Sequence, residues 1–324
     1  MTLDLTIAIP AHNDTQLLAR LLSRLAQLRL AQHVIVVDDG SDPAIDARTL
    51  CQTSGFDAGV LTLLRQDAPQ GAGAARNLAL HHVTTSHLLF LDADDLPTRE
   101  LRDLVRALPP HAADFDFCLF QHHDSRMERD TLWGQMDFDQ RLWTQAGLAQ
   151  GALHPVTETA AQLLAQTANY PWNKIYRSDF LREHGIRCST TLVHNDIALH
   201  WRSFLHGTRI LASDHVGVIH FVHPAGRRLT NQLGAERLQV FIPLEQVALE
   251  ITATQSPYAP AFFGFVLGLL DWAHGTLHHS LRPQFLTTGT SFLNRYLSQS
   301  LRQQLLQDRP ADWQRATELF DLET

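Results

Sequence analysis

In the first hundred residues, short apolar runs alternate with stretches whose leucines recur every three or four positions. Leu5–Ala11, His33–Asp39, Val60–Arg65 and His87–Leu91 are continuous apolar runs and predict buried strands. Thr15–Leu30 carries leucines at 17, 18, 21, 22, 25 and 28 behind Asn13-Asp14, which predicts a capped amphipathic helix. Shorter helices are predicted over Ala44–Gln52 and Ala74–His82, the second opened by the glycine-containing loop Pro69–Gly73. Strands and helices alternating at this length imply βαβ units, and so a Rossmann-like, doubly wound, mostly parallel α/β sheet. Each predicted strand ends in polar residues: His12-Asn13, Asp38-Asp39, Gln66-Asp67 and Asp92-Asp94. Those ends share one rim, where ligands bind in open α/β sheets.

After a helix predicted over Thr98–Leu108, Pro109-Pro110 breaks the pattern. Asp116–Gln121, Trp172–Arg177, Ile210–Ala212 and Gly217–Val222 read as strands, and Glu158–Thr167 and Ile197–His206 as helices, with a further helix capped at Ser178 or Asp179. From about Leu233 the chain is leucine-rich and helical, with breaks expected at Pro243, Pro257, Pro260, Pro283 and Pro310. The expected organisation is a domain over 1–232, with halves 1–108 and 109–232, followed by a C-terminal helical region over 233–324.

Composition narrows the class. At 324 residues the chain buries a substantial core, and its net charge of −8 argues against a nucleic-acid partner. Cys51, Cys118 and Cys188 are far apart and odd in number, which fits reduced thiols in a cytoplasmic setting. No basic leader precedes the first predicted strand. No apolar run reaches the roughly 18–20 residues of a membrane span. The nearest, Ala259–Leu270, is shorter, contains Pro260, Gly264 and Gly268, and reads as a buried helix.

Two features bear candidate chemistry. The run Leu88–Leu96, LLFLDADDL, ends in Asp92, Asp94 and Asp95. Carboxylates crowded this closely repel one another unless a cation offsets them, and oxygen ligands suit a hard ion such as Mg or Mn. Asp95 also reads as an N-cap for the next helix. Lys174 is the only lysine in a chain that otherwise uses arginine, so a compact ammonium is expected to matter there.

Several motifs then coincide in order: Ile9-Pro10-Ala11-His12-Asn13, Val37-Asp38-Asp39-Gly40-Ser41-Asp42, Gly71–Asn77 (GAGAARN) and Phe90–Asp95 (FLDADD). Together they resemble the family 2 glycosyltransferases of the GT-A fold. Trp172–Gly185 (WNKIYRSDFLREHG), followed by His194-Asn195-Asp196, looks like the acceptor half of bacterial, polysaccharide-type members. The resemblance covers about residues 3–231. The pair Gly71-Ala72-Gly73 also begins a dinucleotide fingerprint, but it follows the third strand and lacks the third glycine.

The resemblance implies a metal-dependent inverting transferase that moves a sugar from a nucleotide-diphosphate sugar, with UDP-sugar the expected donor, to a glycan or lipid-linked hydroxyl. By similarity, Pro10, His12 and Asn13 border the nucleoside, Asp39 takes the base, and Asp92 reaches ribose or sugar. Arg76 and Lys174 offer charge to the donor, and Asp94 holds the divalent ion (Mn or Mg). His223, or His220 two residues earlier, completes the metal site, and Arg227 closes over the diphosphate. Asp196 is the expected catalytic base, with an N-cap role for it also open. Where relatives commonly have an aromatic residue this chain has His12, and where they have Glu-Asp it has Asn195-Asp196. Two other readings are a nucleotidyltransferase that makes nucleotide sugars and a non-catalytic nucleotide-sugar-binding protein. For the C-terminal helices, acceptor binding, homodimer formation and contact with the inner face of the membrane all stay open.

Overall fold

The computed structural model describes residues 2–30, 32–130, 133–148, 153–222 and 234–322. The predicted alternation is realised from the N-terminus. In order come β1 (Leu5–Ala11), α1 (Thr15–Leu28), β2 (His33–Asp39), α2 (Ala47–Ser54), β3 (Leu61–Gln66), α3 (Ala72–His82) and β4 (His87–Phe90). These strands pair in parallel in the order β3-β2-β1-β4. β1 and β4 are almost wholly buried and mostly apolar because both lie inside the sheet and are covered on both faces. From β1 the chain steps outward to β2 and β3, then returns across β1 to β4. That reversal leaves a crevice at the C-terminal ends of β1 and β4, where the predicted rim lies.

The second half continues with β5 (Leu96–Pro97), α4 (Arg99–Ala107), β6 (Phe117–Asp124), α5 (Asp137–Gln145), β7 (His154–Pro155) and α6 (Glu158–Leu164). Then come β8 (Lys174–Arg177), α7 (Ser178–Glu183), α8 (Ile197–His206) and β9 (Ile210–His220). β8 enters antiparallel between β4 and β6, giving the order β3-β2-β1-β4-β8-β6-β9-β5 with β7 on β9. β1–β4, β6 and β9 run one way and β5, β7 and β8 the other, so the sheet is mixed but mostly parallel.

Two expectations are corrected here. The strands predicted over Ile210–Ala212 and Gly217–Val222 form the single strand β9, whose register against β6 shifts around Gln121. Gly217 permits the close approach, since a Cβ there would lie 2.4 Å from the Phe120 ring. Asp95 does not cap α4. The chain first adds β5 to β9, and Thr98 then caps the helix by accepting from Leu101 N–H.

The C-terminal region forms α9 (Phe241–Thr254), α10 (Ala259–Thr276), α11 (Arg282–Tyr296), α12 (Gln299–Asp308) and α13 (Pro310–Phe320). The helical region is interrupted as expected near Pro257, Pro260, Pro283 and Pro310, the last three opening the following helix, whereas Pro243 lies in the first turn of α9 and breaks nothing. In a first turn the missing N–H has no intrahelical partner to lose. Alternate residues of each central strand feed opposite cores. Leu5, Ile7, Ile9, Leu89 and Leu91 face α1 and α4. Ala8, Val37, Leu88 and Phe90 belong to a cluster that continues through Tyr176 and Trp201 to Phe262 and Phe320. Trp201 and Phe262 meet edge to face at 5.0 Å, so the C-terminal helices share a core with the sheet. No helix among the described residues is long and apolar enough to cross a membrane.

Candidate active site

The rim is built from strand ends. His12 follows β1 and donates from Nδ1 to the Asp39 carbonyl at 2.7 Å, while its Nε2 accepts from Asn13 at 2.9 Å. Asn13 holds a left-handed φ of 57°. Its N–H donates to Ser41 Oγ, and its Oδ1 accepts from Asp42 N–H. The ends of β1 and β2 are thus laced together. The Asp39 carboxylate, at the tip of β2, accepts from Gln70 N–H at 2.7 Å and Gly71 N–H at 2.8 Å. Gly71 reaches this position at φ 91°, which glycine adopts without strain. Asp38, one residue earlier, is buried and faces the β2 turn, where it accepts from Ser41 and Ile45 N–H and pairs with Arg65.

Across the crevice, α3 carries Arg76 to the lip of β4. The side chain is buried and donates to Asp92 Oδ1 at 2.5 Å and to Asn195 Oδ1 at 2.9 Å. Burial works against its charge, but the Asp92 carboxylate outweighs that and keeps Arg76 protonated. Gly73 lets α3 approach closely: a Cβ there would lie 2.1 Å from Ser189 O and 2.8 Å from Asn195 Cβ. Asp196 follows at the head of α8. Its side chain makes no capping hydrogen bond, so the N-cap role is not the one it fills. Burial raises its pKa to about 6, against the opposing pull of Arg76. A carboxylate in that state takes a proton near neutral pH and gives it up readily.

The three acids of the lip have separate surroundings. Asp92 is tied to Arg76. Asp94 is partly buried, and its carbonyl accepts from Arg20 at 2.8 Å. Asp95 is buried and accepts from Phe221 N–H at 3.0 Å and from His220 Nδ1 at 3.1 Å. Burial alone would lower the His220 pKa, but the Asp95 carboxylate raises it instead, so the two act as an ion pair. That pair fastens the end of β9 to the lip. Lys174 is fully buried on β8 and donates to Tyr170 O at 2.8 Å and Asn173 Oδ1 at 2.7 Å. Burial lowers its pKa to about 7, opposed by Asp196 and Asp139.

The structure therefore brings Pro10, His12, Asn13 and Asp39 to one end of the rim, and Asp92, Arg76 and Asp196 to the other. Lys174 lies beneath the surface, without an exposed face for a ligand. His223 and Arg227 lie outside the described residues. Sequence reasoning missed two partners. Asn195 was visible only as a departure from Glu-Asp, yet it keeps an oxygen that Arg76 requires. Asp139, which shares the field of Lys174, carries no local motif at all.

The strand ends of the mixed α/β sheet thus gather the backbone-held Asp39, the Arg76-held Asp92 and the buried Asp196 along one rim. The sequence profile of glycosyl transferase family 2 matches residues 6–183, more than half of the chain, and the protein belongs to that family. A pre-mycofactocin glycosyltransferase of Mycobacterium tuberculosis (strain CDC 1551 / Oshkosh) is 36% identical over 96 residues, 30% of this chain and 19% of that protein's length. In fold, the chain is similar to S. aureus TarS 1-349 in complex with UDP-GlcNAc, with a TM-score of 0.74 at 16% identity over 98% of this chain and 91% of that one. It is also similar to the mannosyltransferase PcManGT from Pyrobaculum calidifontis in complex with GDP-Man and Mn2+. There the TM-score is 0.51 at 17% identity over 100% of this chain and 89% of that one.

Proposed function

We propose that the protein is a metal-dependent, inverting glycosyltransferase that uses a UDP-sugar and transfers to a carbohydrate or lipid-linked hydroxyl. The observation that carries this reading is the connected set Asp92–Arg76–Asn195 beside Asp196, at the switch point of the sheet. In this reading the nucleoside lies over Pro10 and His12, and Asp39 accepts from the base. Two backbone N–H groups already fix the Asp39 carboxylate, so it meets a ligand without reorganising. Arg76 holds Asp92 towards the ribose or sugar. Asp196 accepts the acceptor hydroxyl's proton as that oxygen attacks the anomeric carbon, and a single displacement inverts the configuration. Complexes of fold relatives with UDP-GlcNAc and with GDP-Man and Mn2+ support a nucleotide-sugar donor and a divalent ion.

The residues present fit such an ion. Among the described residues no three ligating side chains converge. Mg and Mn sites of this kind use one or two carboxylates together with substrate phosphate oxygens. Asp94 would be the carboxylate ligand, with His223 the expected second. When bound, the ion offsets the charge that develops on the leaving diphosphate. The catalytic unit is assigned to 1–232 and the helical region to 233–324. Three buried, reduced cysteines support a cytoplasmic location.

The test is release of UDP from a panel of UDP-sugars with and without Mn. Wild-type protein is expected to turn over donor only with the metal, and Asp94→Ala and Asp196→Asn are expected to lose turnover while staying folded. Turnover unaffected by a chelator sinks the metal assignment, and full activity in Asp196→Asn sinks the base.

A further inference from the structure

α10 turns one face, Gly264, Phe265, Gly268, Leu269 and Trp272, towards α5 and the chain just after α6. Between them lies a cleft of about 340 Å³. These positions share one side of a helix with 3.6 residues per turn. The two glycines have different tasks. At Gly264 a Cβ would lie 2.5 Å from Arg309 Nε, because Arg309 crosses α10 there to bond Gln166 and Asp312. At Gly268 a Cβ would meet nothing within 4 Å, so glycine there keeps the cleft open.

The cleft combines aromatic faces with fixed polar groups. Phe138 and Trp272 are each 49% exposed at its mouth. The Arg237 guanidinium lies 4.7 Å from the centroid of the Trp272 ring. Inside, Asp139 is only 5% exposed, and its Oδ1 is held by Ala168 N–H at 3.1 Å. Two relationships tie the cleft to the proposed base. Trp272 stands edge-on to His194, centroids 6.2 Å apart, two residues before Asp196. The buried ammonium of Lys174 acts on the carboxylates of both Asp139 and Asp196.

We propose that this cleft is the acceptor subsite and that it takes a neutral sugar ring, stacked at Trp272 and Phe138 and hydrogen-bonded through its hydroxyls to Asp139. The proposal rests on the glycosyl-transfer reading above. Mostly apolar walls with a few placed polar groups, at this volume, are those of a small-molecule site. An anionic acceptor is disfavoured, because Asp139 and Asp312 line the cleft while Arg309 is committed to Gln166 and Asp312. A lipid tail is disfavoured too, since it would strand the Asp139 carboxylate in an apolar surround.

The experiment is saturation-transfer NMR on the full chain with maltotriose, cellotriose and chitotriose as neutral probes and glycerol 3-phosphate as the anionic one. At least one neutral probe is expected to bind wild type. Trp272→Ala is expected to weaken it about tenfold or more, the scale of losing an aromatic anchor. Gly268→Phe places its Cβ in open space and its ring in the cleft, and is expected to abolish the signal while the melting temperature holds. Leu306→Ala, at an exposed position on α12, keeps the signal. The proposal is overturned if no neutral probe binds, if only the phosphate does, or if binding survives both Trp272→Ala and Gly268→Phe. A thermal shift of wild type with each member of the UDP-sugar panel and Mn separates the two readings. A shift without sugar binding sinks the cleft alone, whereas no shift sinks the donor reading.

Discussion

Arg76 Nη1 donates to Asn195 Oδ1 at 2.9 Å across 119 residues of sequence, while Nη2 of the same guanidinium holds Asp92. One buried side chain thereby ties the lip of β4 to the segment that presents Asp196. Removing it leaves two polar groups facing an emptied site. Arg76→Met is expected to cost about 3 kcal/mol, the low end for breaking a buried pair because Asp92 is partly exposed. Chemical denaturation measures that loss. A stability within experimental error of wild type contradicts the bridging role.

Asp196 has two opposed pH signatures. As a base it must be ionised, so kcat/KM is expected to rise with pH and level off above about 6. Its folded pKa stands above the ordinary 3.8, so between those values the folded chain binds more protons than the unfolded one. Stability therefore falls as pH rises through that window. Asp196→Asn is expected to be more stable than wild type above pH about 6 and to lose roughly 10²–10⁴ in rate. Melting and rate profiles on the same samples check both.

Lys174 shows the reverse slope. Its folded pKa, about 7, lies below 10.5, so between these values the unfolded chain holds a proton that the folded chain has released. Stability from this group rises with pH across that window. Lys174→Met is expected to flatten the profile from pH 7 upward, and an unchanged slope in urea denaturation rules the assignment out.

Gly73→Ala drives a Cβ into the Ser189 carbonyl, a backbone atom with little room to yield. A loss of about 1–3 kcal/mol is expected from overpacking. Activity should fall more than stability alone explains, because the displaced segment carries Asn195 and Asp196. Rates measured well below the melting transition isolate that effect.

Asp94 and Asp95 are adjacent but should fail differently. His220→Ala leaves the Asp95 carboxylate buried with, among the described residues, the Phe221 N–H as its donor, and is expected to cost about 3 kcal/mol in stability. Asp94→Ala is expected to lose turnover with its melting temperature nearly intact. Equal melting losses in both variants would show that the two acids share one structural task.

The parallel half of the sheet was legible because β1, β2 and β4 are buried on both faces and read as largely apolar runs, and the partly buried edge strand β3 still carries Leu61, Leu63 and Leu64. β9 was misread as two strands because its middle, Ser213–Val216, is interrupted where the register against β6 shifts. The breaks expected at Pro257, Pro260, Pro283 and Pro310 fall at the junctions between separate helices, whereas Pro243 sits in the first turn of α9, where a proline interrupts nothing. Asp95 looked like a cap because acid before helix is a local pattern. The residues that claim it, His220 and Phe221, lie 125 and 126 positions away.

Local order and chemistry type were determined by the sequence itself: apolar runs ending in acids, a glycine loop opening α3, and a motif series that names the family. Hydrophobic periodicity and turn chemistry act over a few residues, so they survive without a fold. Which acid meets which partner was decided by tertiary structure alone. Burial and pairing across more than a hundred residues bind Asp92 to Arg76, seal Asp95 against His220, raise Asp196 to about 6 and lower Lys174 to about 7. The same holds for the cleft at Trp272, whose walls come from helices that no sequence motif connects.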